Sequence, residues 1–270
     1  MAEVLQERAP AREQPSAVGG GLVCARSIAL RQTLPLHPSV RYRLTLRGVS
    51  TIPVVSTKVI SMENLLSVAV VLGSYLLGSL SFAVIVSRLM GLSDPRSYGS
   101  KNPGATNVLR SGSKKAAILT LLFDALKGGV PVALVLAFGP AHGLGAGTAA
   151  MAGLAAFLGH LYPVFFGFAG GKGVATAVGV LVGMNGLLAL AALCTFGIVL
   201  FFSRYVSLAS MVAAVFAPVY YLFGDGVAWQ ANGAEVLALS VMALLLVWRH
   251  RENINRLLAG TESKLGSKKP

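Results

Sequence analysis

The sequence is poor in charged residues and in cysteine, and both shortages restrict what the chain can be. Only 12% of its 270 residues are charged, whereas 54% are hydrophobic and the mean hydropathy is +0.70. Soluble domains carry about 25% charged residues, so this composition indicates an integral membrane protein. The two cysteines, Cys24 and Cys194, exclude a disulfide framework, and with four scattered histidines we predict neither a metal nor a cofactor.

Acidic residues are also scarce, since 10 Asp and Glu stand against 23 Lys and Arg and the formal net charge is +13. In a membrane protein such an excess marks cytoplasmic loops beside anionic lipid. We therefore expect contact with membrane lipid and no nucleic-acid partner.

The first 61 residues differ from the rest of the chain. They contain five prolines, no apolar stretch long enough to span a membrane, and none of the ordered parts of a secretory signal. We expect residues 1–61 to be a disordered leader or an over-extended gene start, with Met62 as the natural first residue; a regulatory tail is the alternative. Residues 62–262 would form the membrane domain and 263–270 a basic tail.

Long apolar segments divide residues 62–262 into candidate crossings of about 20 residues each. The segments are 65–87, 116–138, 145–166, 206–223, 234–248 and the longer tract 174–202. That tract can form one helix, or two helices hinged at 184–186. Two helices keep every outer loop free of Lys and Arg, as the positive-inside rule favours. We therefore predict an all-α polytopic fold with seven transmembrane helices, the N-terminus outside and the C-terminus in the cytoplasm.

The polar segment 98–110 follows the first crossing. Its glycines can turn backbone N–H groups inward, its short side chains form hydrogen bonds, and an arginine adds charge; the residues concerned are Gly99, Ser100, Asn102, Gly104, Thr106, Asn107 and Arg110. Inward N–H groups beside cations predict a phosphate site. An ordinary turn-rich loop is the alternative.

Three further segments carry polar groups to the same predicted side of the membrane. Gly-Gly-Lys-Gly opens a helix with Lys172, Ser203 and Arg204 begin another, and His250 and Asn253 share one helical face. Each has a plainer explanation, namely a snorkelling lysine, a helix cap and a solvated helix end. Their coincidence on one side predicts a pocket for phosphate-bearing substrates.

Two charged residues, Asp124 and Lys127, lie three positions apart within the second predicted crossing. Charges in a bilayer are costly unless they are paired. We expect a structural salt bridge, with a proton relay as the alternative. His160, near the end of the next crossing, fits either the pocket or a hydrogen-bonded helix end.

The ordered motifs of the chain resemble one family. The segments concerned are 99–110, 124–128, 159–176, 204–210 and 249–258, and together they resemble the bacterial acyl-phosphate:glycerol-3-phosphate acyltransferases (PlsY) from about Met62 to Glu262. The resemblance implies transfer of a fatty acyl group from acyl phosphate to the 1-hydroxyl of sn-glycerol 3-phosphate, giving lysophosphatidic acid and phosphate in phospholipid biosynthesis. Lys101 stands where many members of the family have glycine.

The resemblance also implies partners, a location and roles. The partners are acyl phosphate, glycerol 3-phosphate and membrane lipid, and contact with the enzyme that forms acyl phosphate is left open. The protein would lie in the bacterial inner membrane with its active site facing the cytoplasm. We assign the loop 100–106 to acyl phosphate, and the remaining groups to glycerol 3-phosphate and carbonyl polarisation: Lys172, Arg110, Ser203, Arg204, His250 and Asn253.

The catalytic residues would be His250, Asn253 and Lys172. The proton acceptor is either His250 or a substrate phosphate, and the sequence leaves both open. A membrane transporter of phosphate or a phosphate ester is the alternative function, although such proteins usually place their site at the membrane midplane between internal repeats.

Overall fold

The structure, a computed structural model, describes residues 62–266 of the chain. Every regular element in this range is helical, which confirms the predicted all-α fold. The α-helices are α1 (Met62–Gly78), α2 (Phe82–Leu89), α3 (Ala105–Val108), α4 (Lys114–Phe138), α5 (Ala146–Leu161), α6 (Val174–Met184), α7 (Gly186–Ser203), α8 (Val206–Phe223), α9 (Gly233–Arg249) and α10 (Arg251–Leu258). The predicted leader, residues 1–61, lies outside the described residues.

Length and apolar composition alone identify fewer crossings than the seven that the sequence predicts. Within residues 62–266, four helices are long and apolar enough, and up to six spans result if each of two bent helix pairs counts as one. The bent pairs are α1 with α2, at 45°, and α9 with α10, at 54°. The chain is a multi-pass membrane protein, and seven crossings stay a prediction.

The first apolar segment, predicted as one helix over 65–87, is two helices. The chain leaves the helical path after Gly78 and resumes it at Phe82. The carbonyl of Leu80 in this break accepts a hydrogen bond of 2.7 Å from the Nζ of Lys127 on α4. The ammonium group thus satisfies an acceptor that a continuous helix would have used itself.

The tract 174–202 is divided at the predicted hinge. Asn185 separates α6 from α7, and its Oδ1 accepts hydrogen bonds from the N–H groups of Leu187 (2.9 Å) and Leu188 (3.1 Å). This is an N-cap, which satisfies two N–H groups at the start of α7. α6 has only 11 residues, about 17 Å at 1.5 Å per residue, so it is short for a crossing of about 30 Å.

Close contacts between small residues hold the bundle together. α5 lies centrally against α1, α4, α6 and α9, and α4 packs along α6. A Cβ added to Gly179 would overlap the carbonyl of Ala125, and one on Gly159 would overlap the carbonyl of Tyr75. Such small residues let the backbones of membrane helices approach closely, which is where their packing energy comes from.

Candidate active site

The loop before α6 is fixed from two sides. The N–H of Gly171 donates to the carbonyl of His160 at the end of α5 (3.1 Å). Arg249, the last residue of α9, donates from Nη2 to the carbonyl of Gly170 (2.7 Å) and from Nε to that of Gly171 (3.1 Å). Gly173 then turns the chain into α6 with φ +83°, which favours glycine. Lys172 is therefore held in place on both sides by backbone contacts.

The ammonium group of Lys172 points toward α10. Its Nζ donates a hydrogen bond to the Oδ1 of Asn253, which lies in the first turn of α10 and is buried. Burial, together with the charge of Arg256, lowers the pKa of Lys172 to about 8, although Glu262 opposes the shift. A half-buried cation with a neutral partner is suited to receive an anionic ligand.

His250 lies buried at the bend between α9 and α10. Its Nδ1 is 2.8 Å from the carbonyl of Leu246. Because a carbonyl only accepts, Nδ1 must carry the proton, and a neutral ring keeps its lone pair on Nε2. His250 can therefore accept a hydrogen bond or a proton at Nε2.

Asn107 organises the glycine-rich loop that precedes α3. Its Oδ1 accepts from the N–H of Ser100 (3.1 Å), and its Nδ2 donates to the carbonyls of Pro95 (2.6 Å) and Tyr98 (3.2 Å). Gly99 has φ +59°, and a Cβ there would overlap Asn107 Oδ1. Asn107, predicted to bind substrate, is thus engaged in holding the loop.

Part of the backbone of this loop is hydrogen-bonded within the loop itself. The N–H of Ser100 is bound to Asn107, that of Lys101 donates to Tyr98 (2.9 Å), and that of Gly104 donates to Asn102 (3.0 Å). Lys101 itself has φ +55°, the left-handed conformation that favours glycine. The loop also offers a ligand the side chains of Ser100, Asn102, Thr106 and Arg110, and the anion nest stays a prediction.

The glycine-rich loop 98–104 and the loop that carries Lys172 lie next to each other. A Cβ built on Gly171 would lie 2.9 Å from the carbonyl oxygen of Pro103, so the loop 98–104 packs against the residue next to Lys172. Segments almost 70 residues apart in the sequence thus form one surface.

The carboxylate of Glu262 joins the segment that follows Arg204 to the segment that carries Asn253. Ser207, in the first turn of α8, and Asn253 both donate to Oε1 of Glu262, each at 2.6 Å. Arg204 has φ +62° and its Nη2 donates to the carbonyl of Leu265 (2.9 Å), while Ser203 accepts from the N–H of Tyr205. The four predicted segments thus lie in one cluster, with Arg204 on its exposed rim.

Two residues of this cluster were not among the site residues that the sequence predicted. They are Arg249, which binds the loop of Lys172, and Glu262, which binds Asn253. An acidic residue in a basic segment, placed two residues after Gly260, was the available signal for the second. The sequence contains no such signal for Arg249, because this residue belongs to a run of basic residues at a helix end.

The predicted salt bridge within α4 is confirmed. Lys127 Nζ lies 2.8 Å from Asp124 Oδ1, and both side chains are almost fully buried. His160 Nδ1 lies 3.6 Å from the same carboxylate oxygen, so His160 faces the bundle interior and contributes its carbonyl to the Lys172 loop.

The cluster is consistent with the protein family that the chain matches in sequence. The family model described as glycerol-3-phosphate acyltransferase matches residues 68–260. The chain belongs to this family. It is accordingly an acyltransferase of phospholipid synthesis, which favours an enzyme over the transporter considered above.

Relatives named glycerol-3-phosphate acyltransferase support the assignment. The protein of Albidiferax ferrireducens is 64% identical over 208 residues, covering 77% of this chain and 93% of that one. The protein of Bordetella petrii is 63% identical over 204 residues, covering 76% and 95%.

Two crystal structures of PlsY (YgiH), an integral membrane glycerol 3-phosphate acyltransferase, resemble the fold. The glycerol 3-phosphate form has a TM-score of 0.68 and 40% identity, covering 74% of this chain and 96% of that one. The lysophosphatidic acid form has a TM-score of 0.66 and 39% identity, covering 74% and 95%.

Proposed function

We propose that this acyltransferase moves a fatty acyl group from acyl phosphate to the 1-hydroxyl of sn-glycerol 3-phosphate, releasing phosphate and lysophosphatidic acid. The observation that carries the proposal is the convergence of Lys172, His250 and Asn253 beside a loop rich in short polar side chains. The similar PlsY structures are named for their glycerol 3-phosphate and lysophosphatidic acid forms, which are a substrate and a product of this reaction.

Acyl phosphate is a mixed anhydride and is already activated for attack by a hydroxyl group. The protein therefore does not need to form an acyl-enzyme; it must hold two anions side by side and stabilise the charge that develops on the carbonyl oxygen. We assign the acyl phosphate head group to the loop side chains Ser100, Asn102 and Thr106, with Arg110 at its edge. Gly99 and Gly104 give that loop its path, and Asn107 holds it.

The glycerol 3-phosphate would bind to the other side of the cluster. Lys172 supplies the central positive charge, and Ser203 and Arg204 lie on the rim formed by the start of α8. His250 and Asn253 complete the site from the bend between α9 and α10. Preorganised donors of this kind typically contribute about 10²–10³ in rate each.

The hydroxyl proton has two possible acceptors in this arrangement. Nε2 of His250 has a lone pair when Nδ1 donates to Leu246. A substrate phosphate, with a second pKa near 6, can also accept a proton. We favour the phosphate, because His250 is buried and a charged imidazolium next to Lys172 and Arg249 would be repelled.

We further propose seven crossings in the bacterial inner membrane, with the N-terminus outside and the cluster facing the cytoplasm. The distribution of Lys and Arg supports this, since the connection 88–115 and the tail after 248 are basic whereas 139–144 and 224–232 contain neither residue. In this topology α6, although short, counts as a crossing whose ends are covered by neighbouring protein.

Formation of lysophosphatidic acid by the purified chain in lipid nanodiscs tests the proposed donor. We expect this product, with release of an equal amount of phosphate, when both palmitoyl phosphate and glycerol 3-phosphate are present, and no product when palmitoyl-CoA or palmitoyl-acyl carrier protein replaces the acyl phosphate. Turnover with a thioester donor and none with acyl phosphate would overturn the proposal.

A further inference from the structure

A turn after α10 returns the chain to the site. Gly260 has φ +67° and its N–H donates to the carbonyl of Leu257 (3.1 Å), while the N–H of Thr261 donates to that of Arg256 (2.8 Å). These two bonds form a Schellman motif, the common ending of a helix at glycine. The motif reverses the chain and places Glu262 over the face of α10 that carries Asn253. We refer to residues 261–266 as the C-terminal strap.

Glu262 is the point where the strap is bound. Its side chain is 9% exposed and accepts three hydrogen bonds, from Ser207 and Asn253 at Oε1 and from Arg256 Nε at Oε2 (2.7 Å). Burial acts to raise the pKa of Glu262, but these hydrogen bonds hold it below its ordinary value. A carboxylate that is charged and saturated with donors is a firm anchor between α8 and α10.

The anchor fixes the orientation of the Asn253 carboxamide. A carboxylate only accepts and an ammonium only donates, so Nδ2 must face Glu262 and Oδ1 must face Lys172. Rotation of the amide by 180° would place NH₂ against the ammonium and two acceptor oxygens against each other. Glu262 therefore determines what Asn253 presents to Lys172.

The strap has a second attachment, to the start of α8. The N–H of Leu265 donates to the carbonyl of Arg204 (2.7 Å), and Arg204 Nη2 donates to the carbonyl of Leu265. The ammonium of Lys264 lies 5.6 Å from the centre of the Tyr205 ring. Both ends of the predicted glycerol 3-phosphate site, Arg204 and Asn253, are thus tied to the same six-residue segment.

We propose that Glu262 is a positioning residue of the glycerol 3-phosphate site, which orients Asn253 toward Lys172 and holds the strap against Ser207 and Arg204. The proposal rests on the function proposed above. Glu262 acts through Asn253, Ser207 and Arg256, and is not itself placed against substrate.

The charge of Glu262 affects the pKa of Lys172, and this pKa is a measurable quantity that a merely structural role of Glu262 would not change. Lys172 is faced by charged or titratable groups from three elements, namely Arg249 and His250 at the end of α9, Glu252 and Arg256 on α10, and Glu262 on the strap. The two carboxylates keep its pKa from falling further than burial and the arginines have lowered it. Loss of the Glu262 charge should lower that pKa again, so Lys172 would lose its proton at a lower pH.

The experiment compares Glu262→Gln, Glu262→Ala and the control Glu252→Gln in the full chain in nanodiscs. Glu252→Gln removes the same charge from an exposed position on α10. Calorimetry without acyl donor gives the Kd for glycerol 3-phosphate from pH 6.5 to 9.5. At pH 7 we expect Glu262→Ala to weaken binding about 10- to 100-fold, the range for losing a hydrogen bond to a charged group. Glu262→Gln should weaken it less, because Gln Oε1 can still accept from Asn253.

The pH dependence separates the variants further. In Glu262→Gln the rise of Kd at alkaline pH should begin at lower pH than in wild type, and in Glu252→Gln it should move less. Tighter binding in Glu262→Ala would mean that the carboxylate competes with the substrate, and would overturn the proposal. Variants of Glu262 that behave like Glu252→Gln in both affinity and pH dependence would overturn it too.

A spin label tests the strap independently of activity. The label is placed at the exposed position Ser263 after replacement of both native cysteines, and Glu262→Gln should increase its mobility whereas Glu252→Gln should not. Unchanged mobility would contradict the anchor. Failure of wild type to use acyl phosphate would refute the proposed donor and leave the binding and label measurements interpretable.

Discussion

The pKa of Lys172 leads to a quantitative prediction about substrate binding. Free enzyme holds this ammonium with a pKa of about 8, and only the charged form attracts a phosphate group. Raising the pH through 8 removes the charge, so affinity for glycerol 3-phosphate is full below this value and is lost above it. At pH 9 about one tenth of the free enzyme is protonated, and we expect Kd to be about tenfold higher than at pH 7. The substrate itself does not titrate in this window, because its second pKa lies near 6.

The matched variant is Lys172→Arg. A guanidinium group stays charged throughout, so the alkaline rise in Kd should disappear even if altered geometry weakens binding at every pH. Calorimetry of the nanodisc protein from pH 6.5 to 9.5, repeated in buffers of different ionisation enthalpy, should also show proton uptake on binding by wild type above pH 7.5 and none by the variant. The same alkaline rise in wild type and Lys172→Arg would refute the assignment of the titrating group.

Further predictions concern the other site residues and the packing. Asn253→Ala should lower kcat/KM at least about 10²-fold, because Lys172 loses its partner, and near-normal turnover would exclude a role for the amide. His250→Ala should slow turnover without moving the pH profile if a substrate phosphate accepts the proton, and a displaced profile would identify the imidazole as base. Gly179→Ala would overlap the carbonyl of Ala125 and should cost about 1–3 kcal/mol, read as a lower Tm in detergent; Gly197→Ala, which meets open space, should not lower it.

The sequence predicted the helical membrane fold and most of the chain segments that meet in the candidate site. Apolar length located the helices, and the distribution of Lys and Arg favoured dividing the tract 174–202 at 184–186, where the Asn185 side chain caps α7. The break in the first segment was missed, and the Leu80 carbonyl in this break is bound by Lys127 from another helix. Periodicity along one segment carries no information about such a partner.

The site shows the same division between local and distant causes. Glycine and small polar residues predicted the loop 98–110, but the N–H groups of Ser100, Lys101 and Gly104 are bound within the loop by contacts that composition does not specify. The function of Asn107 as the loop's anchor depends on Pro95 and Tyr98, and that of Glu262 on a reversal of the chain after α10. Residue types therefore indicated a phosphate ligand. Which side chains face a ligand and which hold the loop depends on contacts between segments that are distant in the sequence.

The ion pair of α4 has a consequence for the insertion of the nascent protein into the membrane. A lone Lys or Asp at the centre of a nascent helix costs about 2.5–3.5 kcal/mol during insertion by the translocon. Asp124 and Lys127 are one turn apart on the same helix, so they can neutralise each other before α5, which carries His160, has been synthesised. α4 can thus enter the lipid without waiting for α5, and His160 reaches the ion pair during later assembly.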